Sequence, residues 1–194
     1  MFNVDNSPPP GGRALTIGFW KNWASCRKGE EEDDDKGRGG QKPILDQTLA
    51  AAGVISDMTD GHATLPGIVI SAKTGSWWKF GATYYLALHG STTAQDSAPD
   101  CLKAVRLLDK STIDAGKKMA SDPAFNLAAQ LAAAELNFVA GAYQNGTVLN
   151  AVNQSVLVLG KYAFDGKTHT KISTADANLM NQLAKTLDDY NNNR

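Results

Sequence analysis

The sequence predicts a mainly α fold, an irregular helical bundle of about five helices with a small β-hairpin or loop subdomain. From residue 101 onward, apolar residues recur every three or four positions between short polar breaks, which is the spacing of amphipathic helices. Between residues 54 and 100, Gly, Ser and Thr separate clusters of β-branched and aromatic residues, as in short strands. We therefore expect one helical domain over residues 15–190, in which residues 54–100 form the irregular or β subdomain.

Before residue 54 the sequence indicates a short helical segment and then predicts a longer helix. Trp20 and Trp23 are three residues apart in an aromatic segment, so a short helix would place both on one face, which we expect to be buried. Pro43 suits the first turn of a second helix, and Gly53 suits its C-terminal cap. These signals predict a helix over residues 43–52.

The segment 54–100 contains the candidate binding surface. Its second apolar cluster, residues 77–88, fits a strand or a short helix, because short apolar runs do not decide the period. If it is a strand, adjacent Trp77 and Trp78 point to opposite faces, and one of them is exposed. Exposed aromatic rings stack on sugars and are frequent at binding hot spots. The candidate ligand-binding residues are therefore Trp77, Trp78, Tyr84 and Tyr85. The alternative is that the tryptophans belong to the core.

Residues 101–140 predict two longer helices with a short one between them. The apolar stripe of the first consists of Leu102, Val105, Leu107 and Leu108. Residues 111–114 predict the N-cap of a second, short helix. Ser121 or Asp122 caps the strongest helix, residues 123–140, with Pro123 at its first position. The predicted inward face of this helix consists of Leu127, Leu131, Ala134 and Phe138.

Two further helices complete the predicted bundle. The first covers residues 147–164, between the turn signals Asn145-Gly146 and Asp165-Gly166. Ser173 or Thr174 caps the last helix, which we expect to end at Tyr190. Residues 191–194 are predicted to form a frayed tail.

Residues 1–14 have the composition of a linker from an upstream domain. Three prolines, at positions 8–10, precede Gly11 and Gly12, which combines a stiff segment with a flexible pair. The polar start lacks the apolar core of a signal peptide. If the protein is exported, we therefore expect this chain to be cut from a longer precursor. The alternative is the disordered N-terminus of a complete protein.

The chain contains two cysteines, Cys26 and Cys101. Neither belongs to a Cys-x-x-Cys pair, and no histidine lies at metal-binding spacing from them. We predict that they form a disulfide, which requires an oxidising compartment. The alternative is a pair of buried free thiols in a cytosolic protein.

Charge and hydropathy exclude some classes of partner. The chain has 19 basic and 20 acidic residues and a formal net charge of −1, which gives no electrostatic reason to expect nucleic acid. No apolar run reaches the roughly 20 residues needed for membrane insertion. The acidic run at residues 30–35 predicts a solvated loop, because contiguous carboxylates lack the alternating positions that Ca²⁺ needs. Asp57 and Asp60, three residues apart beside a glycine, are the better calcium candidates, and otherwise no cofactor is expected.

No catalytic motif is present. The three histidines at 62, 89 and 169 form no metal-binding pair, and the sequence has neither a Gly-x-Ser-x-Gly elbow nor a phosphate-binding loop. Glu135 could serve glycoside hydrolysis if it were buried with a raised pKa, but it has no identifiable partner carboxylate. The alternative, which we favour, is a surface or helix-pairing glutamate.

The segment at residues 15–23 reads Leu-Thr-Ile-Gly-Phe-Trp-Lys-Asn-Trp, and further characteristic blocks lie at 101–111, 120–137 and 177–192. Together they resemble a domain of secreted bacterial multidomain surface proteins that opens on Gly-(Tyr/Phe)-Trp-Lys-Asn-(His/Trp). The resemblance implies export, a cysteine pair and other domains of the same chain as partners. It implies no catalytic residues, because such domains have no established activity.

We therefore expect a non-catalytic module at the cell surface or outside the cell, acting in adhesion, matrix assembly or display. Its partners would be neighbouring domains, a polysaccharide, or a cell-surface or matrix protein. A carbohydrate-binding module that uses an exposed tryptophan is the alternative. A hydrolase whose site forms only in the tertiary structure is a second one.

Overall fold

The computed structural model describes residues 12–22, 26, 44–52, 54–55, 65–73, 84–90 and 99–194. These residues form six helices and a three-stranded antiparallel sheet, which confirms the mainly α fold with a small β subdomain. The elements in chain order are α1 (Ile17–Asn22), α2 (Ile44–Ala51), β1 (Val54–Ile55), β2 (Leu65–Ala72), β3 (Tyr84–His89), α3 (Pro99–Leu108), α4 (Pro123–Val139), α5 (Gly146–Lys161) and α6 (Thr174–Asn191).

Helix α4 is the centre of the fold. Asp122 caps it through Oδ1, which accepts hydrogen bonds from the backbone N–H groups of Ala124 and Phe125, and Pro123 occupies the first turn as predicted. Because all five other helices and β2 surround α4, every residue from Leu127 to Asn137 is buried. The prediction of one inward face was too narrow, since a helix that is apolar all round is buried on every side.

The segment around α3 departs from the sequence prediction at two points. Leu102 is 36% exposed, so it does not belong to the buried stripe, whereas Val105, Leu107 and Leu108 do. Residues 111–114 form no helix, because Ser111 pairs with Lys118 in an antiparallel bridge. The chain therefore turns back on itself between α3 and α4 instead of adding a short helix.

The last helix has its predicted cap, whereas Asn145, predicted only as part of a turn, caps α5, which covers Gly146–Lys161 instead of residues 147–164. The Asn145 side chain accepts a hydrogen bond from the backbone N–H of Val148 at the start of α5, and that of Ser173 accepts one from Asp176 at the start of α6. The buried residues of α5 recur at helical spacing and include Val148, Ala151, Val152, Ser155, Val156 and Leu159.

The sheet has the strand order β1-β2-β3 and packs through β2 on α5. Gly160 allows this close approach, because a Cβ at that position would lie 1.8 Å from the carbonyl oxygen of Ala72. Side chains of β3 alternate between buried and half-buried, as expected for a strand with one face on the core. Residues 84–88 of the second apolar cluster thus belong to a strand, not to the short helix that was the alternative.

The two ends of the described chain are joined by asparagine side chains. The side-chain amide of Asn193 exchanges two hydrogen bonds with the backbone N–H and C=O of Ala14, at 3.0 and 2.9 Å. Asn137 does the same with Leu15, at 2.8 and 2.9 Å. We call these two pairs the asparagine clasp. It fixes the path of the chain into α1 against the ends of α4 and α6.

The clasp corrects the predicted domain boundaries. Ala14 is buried, so the folded part begins before residue 15. The tail at 191–194 is not frayed: Asn191 is the last residue of α6 and is fully buried, and Asn193 bonds to Ala14. The physical reason is that these asparagines find polar partners in distant segments, which a local pattern does not reveal.

Candidate functional site

A cleft lies between the start of α5 and the end of α6. Its volume is about 390 Å³, within the range of roughly 300–1,000 Å³ typical of small-molecule sites. We call it the α5–α6 cleft. It is lined by Gly12, Tyr143, Asn145, Thr147, Val148, Thr186, Asp189, Tyr190, Asn193 and Arg194.

Tyr143 is the exposed aromatic residue of the cleft. Its residue surface is 67% accessible, the highest value among the large apolar and aromatic residues of the described chain. Its backbone is nevertheless well fixed, because the preceding Ala142 is buried, bridges to Gly12 and donates a hydrogen bond to the carbonyl of Asn137. A rigid backbone thus holds an aromatic ring out to solvent.

Tyr190, in contrast to Tyr143, is a half-buried residue of the cleft lining. Its ring packs edge-to-face on Phe138, with centroids 5.7 Å apart. Its hydroxyl is buried and has no hydrogen-bond partner in the described part of the chain. Burial raises the pKa of Tyr190 to about 12, so the hydroxyl stays protonated at neutral pH.

The other polar groups of the cleft fall into two classes. Asp189 is paired with Lys185 at 2.6 Å, and the Asn193 amide is occupied by Ala14. In contrast, the side-chain NH₂ of Asn145 and the hydroxyl of Thr147 make no hydrogen bond within the described residues. These two groups can bond to a ligand without breaking a contact of the fold.

The cleft was not predicted from the sequence. Its parts come from residue 12, residues 143–148 and residues 186–194, which no local motif connects. One signal was available: Tyr143 stands just before the Asn145-Gly146 turn, and an aromatic residue beside a turn is a candidate for exposure.

Comparisons with known proteins do not identify the chain. No family model, no curated protein and no solved structure matches it. The resemblance to domains of secreted bacterial surface proteins therefore stays a prediction.

The predicted aromatic and calcium sites lie largely outside the described residues. This holds for Trp77, Trp78, Asp57 and Asp60, and for the acidic run at residues 30–35. Tyr84 is only 9% exposed and belongs to the core, whereas Tyr85 on the same strand is half-buried. Within the described ranges, no three His, Cys, Asp or Glu residues come close enough to hold a metal ion.

The predicted disulfide is present. The Sγ atoms of Cys26 and Cys101 lie 2.08 Å apart, and the two residues are separated by 75 positions in the sequence. The bond links the segment after α1 to the first turn of α3, where Cys101 is fully buried. The alternative of two free thiols does not hold in this structure.

Glu135 lies inside the core, so the surface or helix-pairing interpretation of this residue is wrong. It is 4% exposed, and neither carboxylate oxygen has a hydrogen-bond partner in the described structure. Burial raises the pKa of Glu135 well above its ordinary value, because the charged form is strongly disfavoured away from water.

His169 supports the cap of α4. Its Nε2 lies 2.8 Å from Oδ2 of Asp122, the residue that caps α4 through its other oxygen. Burial lowers the pKa of His169, but hydrogen bonds to the Thr170 carbonyl and to Asp122 outweigh this effect and raise it overall. The pair couples protonation of the imidazole to the start of the central helix.

Proposed function

We propose that this protein is a non-catalytic, disulfide-stabilised module of an exported protein that acts outside the cell in adhesion, matrix assembly or display. The single observation behind the proposal is the bond between Cys26 and Cys101. Structural disulfides persist in oxidising compartments and are rare in the cytosol. Of the helices in the described residues, none has the length and apolarity needed to cross a membrane.

The arrangement of polar side chains supports a structural role. The most connected buried group, Asn137, bonds to Leu15, Trp20 and Asn191 and thus holds segments together. The best candidate acid, Glu135, is enclosed in the core where no substrate reaches it. Polar groups that fix segments of chain to one another are what a spacer or display domain requires.

The compartment is tested by counting thiols in the native cells. Cells are lysed directly into denaturant with a polyethylene-glycol maleimide, and the protein is followed by its gel shift. We expect no modified thiol before reduction and two after it. Two modified thiols before reduction would refute export.

The role is tested by removing the module. Cells that carry the parent protein without residues 12–194 should export the remainder and lose attachment or aggregation. A parent protein with the exposed Leu157→Ala substitution is the matched control and should behave as wild type. Normal attachment without the module would contradict the proposal, as would turnover of a glycan or ester substrate that is lost in Glu135→Gln.

A further inference from the structure

We propose that the α5–α6 cleft binds an uncharged saccharide, whose ring stacks on Tyr143 and whose hydroxyls bond to Asn145 and Thr147. The inference goes beyond the structural role proposed above and does not depend on it, since it concerns a binding site and not a compartment.

Tyr143 is the exposed aromatic residue of the proposed site. Burial of an aromatic ring is strongly favourable, so a ring that is 67% exposed on a fixed backbone leaves unused apolar surface. The neighbouring Ala142 is held by its bridge to Gly12, and Asn145 is held as the cap of α5. The backbone is therefore held in place both before and after Tyr143.

Two hydrogen-bonding side chains, Asn145 and Thr147, line the same cleft. The NH₂ of Asn145 is a donor, and the hydroxyl of Thr147 is both donor and acceptor. Both residues are exposed, and these two groups make no hydrogen bond within the described structure, so both are open to a ligand.

The charged residues of the cleft lining balance each other. The lining contains one acidic residue, Asp189, which is already paired with Lys185, and one basic residue, Arg194. No single sign of charge dominates the cleft, which favours a neutral ligand. A molecule with an apolar ring face for Tyr143 and a rim of hydroxyls for the amide and hydroxyl groups is a saccharide.

The test is a titration of the ¹⁵N-labelled protein followed by NMR. The probes are cellotetraose, chitotetraose, maltotetraose and galactobiose as neutral sugars, and trigalacturonate as an acidic one, each at millimolar concentration. We expect at least one neutral probe to shift the amide signals of residues 143–148 and 186–190. The inference is overturned if no neutral probe shifts them, or if only the acidic one does.

Variants then assign the contacts. Tyr143→Ala should weaken binding about 3- to 10-fold, the value of one aromatic contact, while Tyr143→Phe stays within about twofold because it keeps the ring. Asn145→Asp keeps the capping oxygen but removes the NH₂ donor, and it should weaken binding without unfolding α5. Leu157→Ala, an exposed apolar residue of α5 outside the cleft, is the control. Equal loss in Tyr143→Ala and Tyr143→Phe, or none in either, would refute stacking.

Failure here is distinguishable from failure of the proposed function. Export is read from thiols in cells, and sugar binding from purified protein, so either result can stand without the other.

Discussion

Replacing Asn137 by alanine should remove the polar side chain that joins three segments of the fold. Asn137 is fully buried and makes four hydrogen bonds: it accepts from Trp20 Nε1 and the Leu15 N–H, and donates to the Leu15 carbonyl and Asn191 Oδ1. The bonds to Trp20 and Asn191 are buried, and each orphaned group costs about 1–3 kcal/mol. The Leu15 groups are partly accessible to water and add less. We therefore expect a loss of about 4 kcal/mol in the free energy of unfolding.

The assay is equilibrium unfolding in urea with the disulfide intact, with the free energy taken from the midpoint and slope. A loss of about 4 kcal/mol is a large part of the roughly 5–15 kcal/mol that a domain possesses. Asn150→Ala, at an exposed position of α5, is the matched control and should change stability by less than about 0.5 kcal/mol. If Asn137→Ala costs less than about 1 kcal/mol, the buried amide does not hold these segments together and the reasoning is refuted.

Three further predictions concern protonation and the covalent bond. Burial raises the folded pKa of Glu135 above its ordinary 4.5, so its contribution to stability is complete below that pH and falls by about 1.4 kcal/mol per pH unit toward the folded pKa. Glu135→Gln should flatten this dependence in urea unfolding at several pH values, and an unchanged slope would contradict it. The raised pKa of His169 gives a contribution to stability that is present below its ordinary pKa of 6.5 and is lost as the pH rises through the folded pKa. His169→Ala in the Glu135→Gln background should remove this contribution, and a pH profile identical to that of the background would contradict the raised pKa. Reduction of the bond between Cys26 and Cys101 should lower the free energy of unfolding by about 2–4.5 kcal/mol for a loop of 75 residues, and equal stability with and without reductant would contradict this.

Where local chemistry determines structure, the sequence was a sufficient guide. Asp122 followed by Pro123 is a local signal for the start of a helix. The aspartate side chain accepts hydrogen bonds from free backbone N–H groups, and proline has no N–H group that would be left unpaired there. Asn145 and Ser173 work in the same way at the starts of α5 and α6. The disulfide was also predictable, since two cysteines leave a single intramolecular pairing.

The errors lie where polar residues meet distant partners. Asn191 looks like part of a solvated tail, yet its NH₂ donates to the backbone and side-chain oxygens of Gln130, and Gln130 in turn donates to Asp188. One signal was present: Asn191 follows Leu187 by four residues and so continues the buried face of α6. Glu135 was misjudged for a related reason, because a helix with buried neighbours on all sides buries its charged residue whatever its position.

The α5–α6 cleft also depends on contacts between segments that are distant in the sequence. Tyr143 and Tyr190 line one cleft together with Asn193, whose side chain bonds to Ala14, and no pairwise spacing in the sequence encodes that arrangement. The site could be found only after the tertiary contacts were known.

The asparagine clasp determines how the molecule would respond to mechanical force. A pull between residue 12 and residue 194 first loads the bridge of Gly12 to Ala142 and the hydrogen bonds of Asn193 to Ala14, because these contacts lie nearest the two ends. Asn137 holds Leu15 and Trp20 behind these contacts, and the covalent bond of Cys26 to Cys101 passes tension directly into α3. The covalent bond therefore limits how far the leading segment can lengthen under load before tension reaches the bundle.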